Sequence, residues 1–278
     1  MAPVLRNKHR FGENLSPKAQ GIELARRFRE EHQLALGPIE RIEHLTELVD
    51  ADLLITQLPD KVDALTVQDP ITRNIVIGVA TSSIPFRQNF SLAHEVGHIY
   101  AGDLIAATDL NPCLQHDEEV RADSFAAHIL CPLDSLEEQL EGRDPSTEEA
   151  LSHIVQRYKI SPRVALSQLR RAGLITSDRA SKLGRTWSAP SLASRFAWRN
   201  EYDLEVVQAS TPRPAPRLVA DATQAYLDGE VAAEAVALAR GIPPQQVHNE
   251  LDRLFNTDDS EESDPDPFSH LDSFFGED

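Results

Sequence analysis

Cysteine is nearly absent from this chain, which holds two in 278 residues, Cys113 and Cys131. Two thiols make no disulfide framework, so the fold is expected to rest on a hydrophobic core in a reducing compartment, with both thiols read as small buried hydrophobes. The alternative for Cys113, near His116, is metal or redox chemistry. Long apolar runs are missing as well. No stretch approaches the roughly 18 apolar residues of a membrane span, and the segment from Met1 to Arg10 carries charges where a signal peptide would be apolar, so a cytoplasmic protein with no membrane partner is expected. Basic residues are scarce, with 27 Lys and Arg against 45 Asp and Glu, for a net charge of −18. From Asp258 to Asp278 there are nine acidic residues and no Lys or Arg, so half of the excess sits in the last 21 residues. Affinity for DNA comes largely from cations that neutralise phosphates, so direct DNA binding is not expected.

What is present is chemically pointed. His94-Glu95-Val96-Gly97-His98 places two imidazoles four residues apart, on one face of a helix, where both can hold a single divalent ion. Glu95 between them is placed to take a proton from water. A random chain of this composition would hold roughly 0.03 such pentapeptides. The flanking apolar residues Phe86, Phe90, Leu92, Ala93, Val96, Ile99 and Tyr100 predict one amphipathic helix from Pro85 to Ala101, stopped at Gly102.

A second helix is predicted over Asp117 to Leu130, with Glu119, Ala122, Asp123, Ala126 and Ala127 on one face. Small residues there allow close approach to the first helix. Glu119 alone reads as a solvated carboxylate beside Asp117 and Glu118; together with the His pair it reads as the third ligand, and Asp123 as the acceptor for the second ring N–H of a ligating His.

The segments Ser91-Leu92-Ala93-His94-Glu95-Val96-Gly97-His98 and Glu119-Val120-Arg121-Ala122-Asp123-Ser124-Phe125-Ala126-Ala127-His128-Ile129-Leu130-Cys131-Pro132 resemble those of the ImmA/IrrE family of bacterial and phage metallo-endopeptidases. The resemblance covers roughly residues 17 to 135. It implies an α+β, zincin-like domain with a small antiparallel or mixed sheet and a helical C-terminal region. It also implies one Zn²⁺ per chain on His94, His98 and Glu119, other divalent ions being acceptable, with Glu95 as the catalytic base. Asp123 stands where the family usually has Asn, and Cys131 where it usually has Met; Asp123 moves the pattern toward the gluzincin arrangement. The implied function is a narrow protease that cleaves an Xre-type helix-turn-helix repressor in a stress response or a mobile element. Two readings from other classes are a metal-bound regulator that sequesters a repressor without cutting it and a DNA-binding transcription regulator. For the oxyanion, Tyr100 and His116 are the candidates, against their plainer readings as a core Tyr and a surface His.

Along the chain, a tail over 1–16 and the peptidase domain over 17–135 precede a helical unit over 136–183, a Pro/Ser/Arg connector over 184–216, a small bundle over 217–256 and an acidic tail over 257–278. Within the peptidase domain, helices are predicted over Ser16 to His32 and Pro38 to Leu48, and strands over Leu53 to Gln57, Asp63 to Gln68 and Ile71 to Ala80, with Ile75 to Gly78 as an edge or an ordinary buried strand. Ser146 and Glu149 are read as a capping box that opens a helix pair ending at Gly173, used for packing, partner docking or DNA contact. The acidic tail's Phe268, Leu271, Phe274 and Phe275 fit a short partner-binding helix or plain disorder. The sequence sets no oligomeric state.

Overall fold

The computed structural model describes residues 15–104 and 116–256. The expectations for the chain up to Asn14, for Cys113 and for the acidic tail with its spaced Phe residues lie outside the described residues. The chain divides into two compact units, 1–218 and 219–278.

The first unit opens with α1 (Pro17–Glu31), where the Ser16 hydroxyl accepts from the Ala19 N–H and Pro17 takes the first helical position, while Leu24, Ala25 and Phe28 are buried. The helix expected from Pro38 is confined to α2 (His44–Leu48). The preceding segment is drawn out of helical form because Arg29 donates to the carbonyls of Ala35 and Gly37, and Ile39 and Ile42 pack against the core from irregular backbone.

Strands β1 (Ala51–Thr56), β2 (Ala64–Gln68) and β3 (Ile75–Ala80) form a mixed sheet in the order β1-β3-β2, with β3 parallel to β1 and antiparallel to β2. Ile71, expected in the third strand, lies instead in a turn, where the Asp69 carboxylate accepts the N–H groups of Ile71 and Thr72. The edge expected at Ile75 to Gly78 is the centre of the sheet. Ile75, Ile77 and Val79 of this strand are buried on one face, while Leu65 and Val67 of neighbouring β2 are exposed on the other. The outer side of β1 is met by Arg213, whose backbone exchanges two hydrogen bonds with Ile55. Among the described residues, β2 is therefore the free edge.

Helix α3 (Pro85–Ala101) packs on this sheet, α4 (His116–Leu130) packs on α3 and α1, and Gly102 ends α3 in the left-handed conformation, φ 77°. After a 3₁₀ turn and α5 (Leu136–Gln139) come α6 (Glu148–Tyr158) and α7 (Pro162–Arg171). The cap of α6 is Thr147 rather than Ser146, whose N–H is taken by Asp144. Segment 184–216, read from composition as a connector, is largely helical. It holds the end of α8 (Ser177–Thr186), all of α9 (Ala189–Arg195) and α10 (Arg199–Ser210), and the first residue of α11 (Pro216–Leu227). Its apolar residues make this order: Leu192, Ala193, Trp198 and Tyr202 are buried in the main core, Trp198 and Tyr202 against Phe86, and the Trp198 indole N–H donates to Ser152 Oγ at 2.8 Å.

In the second unit, α12 (Ala233–Arg240) and α13 (Pro244–Asn256) bury Ala233, Val236, Ala237 and Val247, with Tyr226 and Ile242 packed against them. Among the described residues, no helix is long and apolar enough to cross a membrane.

Candidate metal centre

Two glycines set how closely the helices meet. A Cβ on Gly97 would come within 2.9 Å of the Phe125 ring, and one on Gly21 within 2.2 Å of the Arg121 carbonyl oxygen. Only hydrogen at these positions lets α3 and α1 close onto α4. Buried Ala122 and Ala126 complete the small-residue face expected from the sequence.

That approach brings His94, His98 and Glu119 together, one ligand atom from each lying within 4.8 Å of the others. The two Nε2 atoms are 3.0 Å apart, and the Glu119 carboxylate is 3.3 Å from His94 Nε2 and 3.5 Å from His98 Nε2. On the far side of the rings, His94 Nδ1 is 2.9 Å from Asp123 Oδ1 and His98 Nδ1 is 3.4 Å from Asp103 Oδ2. A carboxylate on Nδ1 assigns the ring proton to that atom, so both Nε2 atoms present lone pairs to each other and to a carboxylate. Such a cluster is repulsive until a cation enters it. Burial disfavours the charged form of His94, yet the Asp123 hydrogen bond and the Asp123, Glu95 and Glu119 charges outweigh it and raise its pKa above the usual value. The donor set thus fits a divalent ion, with nitrogen and carboxylate ligands and a carboxylate behind each imidazole.

Asp103 is a functional residue that the sequence reading missed. Nearly all of its side chain is buried, and it also accepts from Arg121 at 2.6 Å, while Arg121 reaches Gln20 at 3.1 Å. Burial raises the Asp103 pKa, but its bonds to His98 and Arg121 prevail and hold it below the ordinary value. Its position directly after the Gly102 stop, five residues past His98, was the available signal.

Thr66 is the second such residue. The alternation of β2 turns its hydroxyl toward α3, where it donates to Glu95 Oε2 at 2.6 Å. One hydrogen bond thus ties Glu95 to the free edge strand.

The oxyanion candidates are arranged otherwise. The Tyr100 hydroxyl donates to Glu31 at 2.8 Å and its ring meets the Phe28 ring edge-on, so it braces α3 against α1. His116 is exposed at the first position of α4. Cys131 is fully buried and burial pushes its thiol pKa up, as befits a small hydrophobe. Ser161 caps α7, and α7 is docked onto α4: the buried Gln168 amide donates to the carbonyls of Cys131, at 2.7 Å, and Ala127, at 3.2 Å.

No curated protein matches the chain. Residues 50–170 match the family described as the IrrE N-terminal-like domain, a span that contains the sheet, both helices of the centre and all but the last residue of α7. The match runs past the expected boundary at 135, in keeping with the Gln168 contact. Residues 50–170 therefore form an IrrE N-terminal-like, metallopeptidase-type domain, which supports membership of the ImmA/IrrE family.

Proposed function

We propose that the protein is a zinc-dependent endopeptidase of narrow specificity, acting in the cytoplasm on an Xre-type helix-turn-helix repressor and relieving repression in a stress response or a mobile element. The observation that carries this reading is the convergence of His94, His98 and Glu119 beside a base that is itself tied to a free strand edge. Zinc on these three residues would supply Lewis acidity, polarising a peptide carbonyl and lowering the pKa of water from about 15.7 toward 7.

The chain's own groups divide the remaining work. Glu95 takes the proton of the attacking water and returns it to the leaving amine. Thr66 occupies Oε2 of that carboxylate, which leaves Oε1 for the transfer. Asp123 and Asp103 hold the imidazoles in one tautomer and orientation. An extended substrate adds to the outer edge of β2 by main-chain pairing, which places its backbone beside Glu95.

Incubating the purified protein with Xre-type repressors of the same genome tests the proposal. Cleavage at a single site, lost in Glu95→Gln while the repressor still binds, is the expected outcome. Undiminished antagonism by Glu95→Gln, with no cleavage by either protein, would replace the enzyme with a sequestering regulator.

A further inference from the structure

A cavity of about 730 Å³ opens between the start of α3 and helices α7 to α10. Its apolar wall is built by Phe86, Leu166, Trp187 and Tyr202. Small-molecule sites typically occupy 300–1,000 Å³ and combine such walls with a few polar groups. Several serines line it too, but its charged groups are of one sign. Arg163 and Arg170 line the cavity from one helix, seven residues or about 10 Å apart along α7. Among the described residues neither is in an ion pair, and no Asp or Glu lines the cavity, although the chain holds 45 acidic residues against 27 Lys and Arg. Two unpaired guanidinium groups beside an apolar hollow disfavour a cationic ligand and leave a neutral one without their charge-assisted bonds.

We propose that this cavity binds a small anionic amphiphile, an aromatic or acyl body bearing a carboxylate, sulfonate or phosphate group. The body packs against Trp187 and Phe86 while Arg163 or Arg170 pairs with the anion. Phe86 lies eight residues before His94 on α3, about 12 Å along the helix, so this site is separate from the metal centre and does not depend on peptidase activity.

The test is titration of the full chain with anilinonaphthalenesulfonate, and with phenylnaphthylamine, which has a similar aromatic body without the sulfonate. The wild type should bind the sulfonate saturably at one site, with energy transfer from Trp187 and from Trp198, which stands behind Phe86 and Tyr202, and Trp187→Phe should reduce the transfer to the share of Trp198. Replacing Arg163 and Arg170, both exposed, by Gln should weaken the sulfonate about tenfold and leave phenylnaphthylamine within about twofold. Ala180→Phe, which fills the cavity, should abolish binding of both. Absence of saturable binding, or equal sulfonate affinity in the double Gln variant with its circular dichroism unchanged, would overturn the proposal. Displacement of the dye by an acidic amphipathic peptide but not by decanoate would also overturn it, making the hollow a protein-docking surface.

Discussion

Thr66 Oγ1 donates to Glu95 Oε2 across 2.6 Å, so a residue of the free edge strand holds the glutamate between the two histidines, the base of the proposed reaction. If this bond fixes the carboxylate for proton transfer, Thr66→Val should lower kcat by about ten- to a hundredfold, because small misplacements of a reacting group carry penalties of that size. Thr66→Ser, which keeps the donor, should restore most of it. Metal content should stay the same in both. A Thr66→Val protein that cleaves at the wild-type rate would reduce the contact to strand packing.

Asp103→Asn removes the charge behind His98. Metal affinity, read by competition with a chelator, should fall about 10- to 100-fold, the range usual for partners of ligating imidazoles. Asp123→Asn should cost less, because the Asp123 side chain is largely exposed, whereas Asp103 is nearly buried and also holds Arg121. Equal losses in both variants would contradict the separate roles given to the two carboxylates.

Gly21→Ala should destabilise the protein, although alanine favours a helix interior by about 1 kcal/mol. The added methyl meets backbone atoms of Arg121 and Phe125 that cannot rotate away, and overpacking of this kind costs about 3 kcal/mol. The net loss of about 2 kcal/mol is read as a lower urea midpoint with unchanged slope.

His128 gives the pH dependence a sign. Its Nδ1 is 2.7 Å from the Ser124 carbonyl, and burial first, then the Arg171 and Lys18 charges, lower its pKa from 6.5 to about 4. The folded state thus favours the neutral ring, so this contribution is fully present above pH 6.5 and is lost as pH falls from 6.5 toward 4. Its size is at most about 3 kcal/mol. Urea unfolding of metal-free protein at pH 7 and pH 5 should show a smaller drop in His128→Gln than in the wild type. Equal drops in the two would remove His128 as the cause.

The metal-centre helix could be read to the residue, from Pro85 to Ala101, because its periodicity, its proline start and its glycine stop agree. His94, His98, Glu119 and Asp123 were legible for a related reason: helical spacing alone puts the first two on one face and the last two on another. Asp103 and Thr66 depend on how the chain folds back after Gly102 and on which face of β2 meets α3, and neither is a local property. Strand order was hidden likewise, since a central and an edge strand can carry the same apolar run. Composition misled at 184–216, where Ser, Pro and Arg suggested a connector but spaced apolar residues such as Leu192, Trp198 and Tyr202 are buried and order the segment.

The most direct measurement is the metal content of dialysed protein by elemental mass spectrometry, beside His98→Ala. About one zinc per wild-type chain and none in the variant is the predicted result. No metal in the wild type, even after zinc is supplied, would contradict the account at its centre.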